Sequence, residues 1–216
     1  MHSLSLPFSA SSPLNILCLG AHSDDIEIGC GGTILRLAQQ FPKAVFHWVV
    51  FSAVGVRAAE ARRAAALFAG TNAIGGPHLK AFRDGFMPFV GSEVKAAFEE
   101  LKTTSPDLIF THSRKDAHQD HRLLAELTWN TFRDHLILEY EIPKYDGDMG
   151  QPTVFVPLET ETCEKKVRYI LDSFQSQHTK RWFEKDTFLS LMRLRGMECN
   201  SPSGYAEAFY CRKLIL

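Results

Sequence analysis

The chain has 216 residues, 45% of them apolar, with 24 Lys and Arg against 25 Asp and Glu and a net charge of −1. That length suits one α/β domain, and the apolar fraction is ordinary for a globular protein with a sizeable core. The near-zero charge leaves no basic excess to neutralise a phosphate backbone, which argues against nucleic acid as a partner, and no apolar run reaches the ~18 residues of a membrane span.

Residues 1–14 are Ser-rich, carry no Lys or Arg, and lack an apolar run of signal-peptide length, so they read as a loose N-terminal extension. Asn15 to Gly20 (NILCLG) is nearly all apolar, as expected of a parallel strand buried on both faces. Gly29-Cys30-Gly31-Gly32 reads as a turn leading into a helix from Thr33 to Gln40. Ala44 to Ser52 is a second strand. Arg57 to Phe68 is a helix ended by Gly70. Leu79 to Phe82 is a short strand, Glu93 to Lys102 a helix, Asp107 to His112 a strand and Asp120 to Arg133 a helix. Further on, Leu136 to Ile142, Thr153 to Val156 and Ala208 to Leu214 read as strands. Glu159 to Phe174 and Lys180 to Arg195 read as helices. Strands alternating with helices indicate βαβ units and a parallel sheet. No repeat or linker divides residues 15–216, which read as a single α/β domain.

The five cysteines, Cys18, Cys30, Cys163, Cys199 and Cys211, form no C-x-x-C pair and are odd in number. That pattern fits reduced thiols in a cytoplasmic protein rather than a disulfide framework.

Two short clusters carry the chemistry. Ala21-His22-Ser23-Asp24-Asp25 follows the first strand directly, at the carboxyl edge where open parallel sheets bind ligands. One Asp can ligate a metal while its neighbour reaches a bound water; the structural alternative is that the pair caps the following helix. His118-Gln119-Asp120-His121 opens a helix whose first turn brings both histidines to one side. Catalytic zinc sites use three protein ligands and leave a position open for water, and His22, Asp25 and His121 complete such a set. Alone, the second cluster would equally be a solvated helix start. Gly29-x-Gly31 lacks the third glycine of a dinucleotide fingerprint, with Ile34 in its place. Of the other histidines, His112 stands at a strand end and could support a ligand from behind. Trp48, Trp129 and Trp182 fit core or rim better than a ligand-stacking platform.

These residues resemble the PIG-L/LmbE-like de-N-acetylases, whose marks are A-H-P-D-D after the first strand and H-x-D-H after a later one. Here they stand as A-H-S-D-D at 21–25 and H-Q-D-H at 118–121, followed after the first by I-E-I-G-C-G-G-T at 26–33. The run Asp-Asp-Ile-Glu-Ile-Gly is similar to the branch acting on glucosamine-malate in bacillithiol synthesis. Arg57-x-x-Glu60 and Gly204 to Phe209 also look like family features, so the resemblance covers residues 15–210. Ser23 stands where the family has Pro, whose ring would fix φ.

The resemblance implies a Rossmann-like three-layer α/β fold with a mostly parallel sheet. It also implies a hydrolase that removes an N-acetyl group from an amino sugar or its conjugate and releases acetate. One zinc per chain, or another divalent metal, would be held by His22, Asp25 and His121. Asp24 would be the catalytic base, a protonated His118 the oxyanion partner, and Asp120 the residue that orients His118 or a ligand histidine. Arg57 and Tyr205 are candidates for gripping the substrate, though Arg57 at i,i+3 from Glu60 fits a helix-surface pair equally well. Competing readings are a two-metal phosphoesterase and a nucleotide-binding module without catalysis. An exposed apolar patch would allow a homo-oligomer.

Overall fold

The computed structural model describes residues 8, 9, 12–73 and 76–215. The expected N-terminal extension falls largely on residues 1–7, 10 and 11, outside the described ones; Phe8 packs edge-on against Phe41 with ring centroids 6.3 Å apart.

Seven strands form one sheet: β1 (Leu14–His22), β2 (Ala44–Ser52), β3 (His78–Leu79), β4 (Leu108–His112), β5 (Leu136–Tyr140), β6 (Val154–Pro157) and β7 (Ala206–Tyr210). The helices are α1 (Asp25–Gln40), α2 (Gly55–Ala69), α3 (Gly91–Leu101), α4 (Gln119–Thr131), α5 (Thr160–Ser173) and α6 (Lys185–Glu198). The spatial order is β3-β2-β1-β4-β5-β7-β6. The first five strands pair in parallel, and β7 runs antiparallel to both β5 and β6. This is the mostly parallel α/β sheet expected from the alternation of elements.

The apolar run of β1 serves two cores at once, because successive strand side chains point to opposite faces. Ile16 and Cys18 join the core under α1, α2, α5 and α6. Leu17, Leu19 and Ala21 join the core under α3 and α4. The sheet is therefore the middle of three layers, and buried strands need no polar alternation.

The structure corrects one element outright. Gly29, Gly31 and Gly32 are not a turn but lie inside α1, which begins at Asp25. The glycines are there for contact distance. A Cβ on Gly29 would sit 2.2 Å from the Tyr140 ring, one on Gly31 2.6 Å from Phe68, and one on Gly32 2.4 Å from Leu158. α1 thus lies unusually close to the sheet and its helical neighbours, a use of glycine that sequence alone reads as chain reversal. α6 starts at Lys185 rather than Lys180, because Phe183 is buried and residues 180–184 turn to place it. β7 covers 206–210 rather than 208–214, its register set by antiparallel pairing with β6. Among the described residues, no helix is long and apolar enough to cross a membrane.

Candidate metal centre

After β1 the chain lays β2 and β3 on one side and then crosses to place β4 on the other. The crevice at that switch point, beyond the strand carboxyl ends, is where an open α/β sheet binds its ligands. β1 ends on His22 and β4 on His112. α1 starts with Asp25 after Asp24, and α4 opens with His118 as its cap, followed by Asp120 and His121 in the first turn. Residues far apart in sequence thus meet at one edge.

Three side-chain atoms converge there. His22 Nδ1 is 3.1 Å from His121 Nε2 and 3.4 Å from Asp25 Oδ2, and His121 Nε2 is 3.5 Å from that same Asp25 oxygen. Both rings are oriented from behind. His121 Nδ1 meets Asp116 Oδ2 at 2.9 Å. His22 Nε2 meets Asp84 Oδ1 at 3.0 Å and Asp120 Oδ2 at 3.3 Å. A carboxylate accepts the N–H of the nitrogen it faces, so in its neutral form each ring has its lone pair on the nitrogen turned inward. Two imidazole lone pairs and a carboxylate oxygen within hydrogen-bond distance of one another repel unless positive charge lies between them. This N,N,O donor set fits a divalent metal of the zinc type.

The local fields agree. Burial alone would lower His22, but Asp25 and hydrogen bonds with Asp120, Asp25 and Asp84 hold it well above its usual range. Burial would raise Asp25; the surrounding His121, His112 and His22 instead hold it well below the carboxylate range. Asp116 is likewise held low against its burial by His121, His112 and Lys144. The carboxylates thus favour positive charge at His22, whereas burial first and then His112 lower His121, which favours its neutral ring. His112 lies behind it, fully buried and stacked on His121 with centroids 3.9 Å apart, its Nε2 3.2 Å from Asp25 Oδ2.

Asp24 caps α1 by position but makes no side-chain capping bond. Its Oδ1 instead accepts from Arg57 Nη2 at 2.6 Å. Arg57 also donates to Glu60 at 3.1 Å, so the i,i+3 pair and the contact to the site coexist. Glu60 is fixed in turn by Ser176, whose N–H and Oγ donate to it at 2.8 and 2.7 Å. His118 Nδ1 accepts from the Asp120 N–H at 3.2 Å, so the proton of the neutral ring sits on Nε2. Burial, His121 and His22 lower the His118 pKa from its ordinary 6.5, which favours that neutral form over the protonated one expected from the sequence. Asp120 is fully buried rather than solvated, and its carboxylate faces His22, not the His118 ring, while accepting from the Gly85 and Met87 N–H groups. Ser23 is also buried, its Oγ 3.5 Å from the Ser52 carbonyl.

These groups open into a cleft of about 530 Å³, with His22, Asp24, Asp25, His118 and His121 joined by Arg57, Lys144, Lys180 and Trp182 in its lining. Trp182 is therefore a rim residue, while Trp48 is core. Tyr205 lies elsewhere. It lines a shallow groove with Leu189, Arg193 and Met197 on the outer side of α6, and the substrate-gripping expectation for it is withdrawn. Sequence reading missed Asp116, Asp84 and Lys144. Asp116 carries a signal in retrospect, an acid five residues before His121; Asp84 and Lys144 sit in loops with no pattern to mark them.

A sequence profile described as PIG-L, GlcNAc-PI de-N-acetylase, matches residues 17–132. An Escherichia coli (strain K12) protein described as the uncharacterized deacetylase YaiS is 31% identical over 150 residues, covering 62% of this chain and 77% of that protein. Among solved structures, N,N'-diacetylchitobiose deacetylase from Pyrococcus horikoshii superposes with a TM-score of 0.71 at 19% identity, over 92% of this chain and 83% of that one. GalB, the 4-carboxy-2-hydroxymuconate hydratase of Pseudomonas putida KT2440, gives 0.74 at 18% identity, over 94% and 98%. At such identities these two show a shared fold, and a hydratase beside a deacetylase means that the fold alone does not choose the reaction. The sequence match does name a family: this chain belongs to the PIG-L (GlcNAc-PI de-N-acetylase) family.

Proposed function

We propose that this chain is a divalent-metal-dependent amide hydrolase that removes the N-acetyl group from an amino sugar or its conjugate and releases acetate. The observation that carries the reading is the convergence of His22 Nδ1, Asp25 Oδ2 and His121 Nε2 within 3.1–3.5 Å of one another, each ring turned by a carboxylate at its far nitrogen. Those three residues would hold the ion. When bound, such an ion supplies Lewis-acid chemistry, polarising a carbonyl and bringing the pKa of a water toward about 7.

The remaining steps fall to the chain's own groups. Asp24 takes the proton of the attacking water and returns it to the departing nitrogen. Arg57 occupies only Oδ1 of that carboxylate, so Oδ2 remains for the proton. His118 donates from Nε2–H to the carbonyl oxygen as negative charge grows on it, worth about 3–4 kcal/mol for a well-placed donor. Asp116 and Asp120 keep His121 and His22 in the tautomers that face inward. The absence of C-x-x-C pairs and the buried Cys18, Cys30 and Cys163 support a reducing, cytoplasmic setting.

The nucleotide-binding rival fares worse. The Gly-rich run is packed inside α1 under Tyr140, Phe68 and Leu158, so it offers no loop to cradle a nucleotide. The phosphoesterase reading is separated by metal count, because of the three possible ligand groups two, His22–Asp84–His118–Asp120 and Asp25–His112–His121, share no residue, while the third, His22–His118–His121, bridges them.

The test is acetate and primary-amine release by zinc-loaded protein across N-acetylglucosamine, its nucleotide conjugates and simple glucosaminides. Equimolar release from at least one member is expected. Silence across the panel with metal bound would overturn the substrate class.

A further inference from the structure

Lys144, in the β5–β6 loop, lines the cleft beside the two proposed ligand histidines, yet its ammonium is committed. Nζ donates to Asp116 Oδ1 at 3.0 Å and to Asp148 Oδ2 at 2.7 Å, and the side chain is only 10% exposed. Asp116 uses its other oxygen for His121 Nδ1 at 2.9 Å and also accepts the His118 N–H at 2.8 Å. Asp148 accepts the Ala117 N–H at 2.6 Å with the same oxygen that Lys144 holds. Gly147, at φ 62°, lets the chain fold back so that Asp148 lies over Lys144.

We propose that Lys144 is a positioning residue for the metal centre, holding Asp116 and through it His121, while it staples the β5–β6 loop onto the loop before α4. The inference rests on the reading above only in taking His121 as a ligand. A carboxylate can swing about its Cβ–Cγ bond, and a single hydrogen bond to His121 leaves that freedom open. With Lys144 and the His118 N–H on the second oxygen, the group is fixed at both ends. Carboxylates that orient ligand histidines act on metal affinity, and a group that fixes such a carboxylate acts by the same route. The pair is no ordinary surface ion pair, because Asp116 is almost fully buried and without Lys144 its Oδ1 would keep only the His118 N–H and lose its ammonium partner. Asp148 has a different part. It ties the loop carrying the exposed Tyr145 and Asp146 into the cleft wall without touching His121.

The two arms separate by measurement. Zinc affinity of the full chain is read by competition with a chromophoric chelator, which needs no substrate, and KM and kcat are read on whichever acetamide the panel identifies. Lys144→Met and Asp116→Asn should each weaken zinc binding by about 10–100-fold. Lys144→Arg should restore most of it. Asp148→Asn should raise KM and leave zinc affinity as in the wild type. If Lys144→Met fails to fold, Lys144→Gln takes its place with the same expectation. Unchanged zinc affinity in the folded Lys144 variant, beside a loss in Asp116→Asn, overturns the proposal and leaves Lys144 as a substrate contact or a loop staple. A panel without any acetate release would sink the functional reading alone, since the chelator competition still decides the role of Lys144.

Discussion

Arg57 Nη2 stands 2.6 Å from Asp24 Oδ1, joining the start of α2 to the residue that precedes α1. The guanidinium is held on its other side by Glu60, which Ser176 fixes from the segment after α5. Asp24 is therefore aimed by a chain of three groups, Arg57 and Glu60 on α2 and Ser176 after α5. A residue that only capped α1 would need none of them.

Asp24→Asn keeps shape and removes the base, so turnover should fall by about 10²–10⁴-fold while bound zinc stays at wild-type stoichiometry. Arg57→Lys keeps charge but loses the fork that spans Asp24 and Glu60, and should lower kcat more than it changes zinc content. Steady-state kinetics beside metal analysis by mass spectrometry checks both. An Asp24→Asn protein with full activity would reassign the base.

The pH profile separates two forms of His118. Its folded pKa is lowered by burial first and then by His121 and His22, so the native ring binds fewer protons than the unfolded chain once pH falls below about 6.5. Its contribution to stability is thus complete above that pH, begins to be lost as pH drops below the unfolded value and is lost as pH falls through the lowered folded pKa. As a neutral Nε2–H donor it stays competent on the alkaline side. kcat should hold as pH rises from 6.5 to 8, and His118→Ala should lower it at every pH in that range. A wild-type kcat that falls off above 6.5 and tracks His118 would show that the protonated ring is the working form.

Packing of α1 gives a third expectation. A Cβ at Gly29 would lie 2.2 Å from the Tyr140 ring, whose hydroxyl is anchored by donating to the Leu19 carbonyl at 2.5 Å. Gly29→Ala should destabilise by about 1–3 kcal/mol, as overpacking of a filled core does. Tyr140 also touches His112 beneath the site, so activity should fall further than at a remote site of equal cost. Urea denaturation with parallel activity measurements reads both effects.

A buried ion pair gives a fourth. Lys166 Nζ donates to Glu207 Oε1 and to the Ile28 carbonyl, both at 2.6 Å, while Glu207 accepts from the N–H groups of Gly32 at 2.8 Å and Thr33 at 2.6 Å. The pair clamps the middle of α1, the helix that carries Asp25. Lys166→Met alone should cost about 3–5 kcal/mol because it strands a buried carboxylate. Adding Glu207→Gln should cost much less than the sum of the two single changes. Additive losses in a double-mutant cycle would mean the two groups act independently.

The sequence made the architecture legible through its alternation of strands and helices, and β2 runs from Ala44 to Ser52 as its apolar pattern indicates. The two clusters were legible as well, because chemistry crowded into five and four residues stands out at any distance. Four things were not. The glycines of α1 resemble a turn until Tyr140, Phe68 and Leu158 are seen pressing on them, since contact distance leaves no mark in local sequence. Asp84 and Lys144 act through space from loops, where no periodicity flags a residue. Tyr205 was placed by motif in a region that the fold turns toward another groove. The orientation of Asp120 toward His22 depended on the loop at Gly85 and Met87, which supplies two of its hydrogen bonds.

The central claim is that His22, Asp25 and His121 hold one catalytic ion. The most direct measurement is a zinc titration of metal-stripped protein with acetate release followed at each addition. Activity should be absent in stripped protein, rise in proportion to added zinc and level off at one ion per chain, and Asp25→Asn should bind far less zinc and stay silent. Full acetate release from stripped protein, or a rise that continues to two ions per chain, would contradict the account.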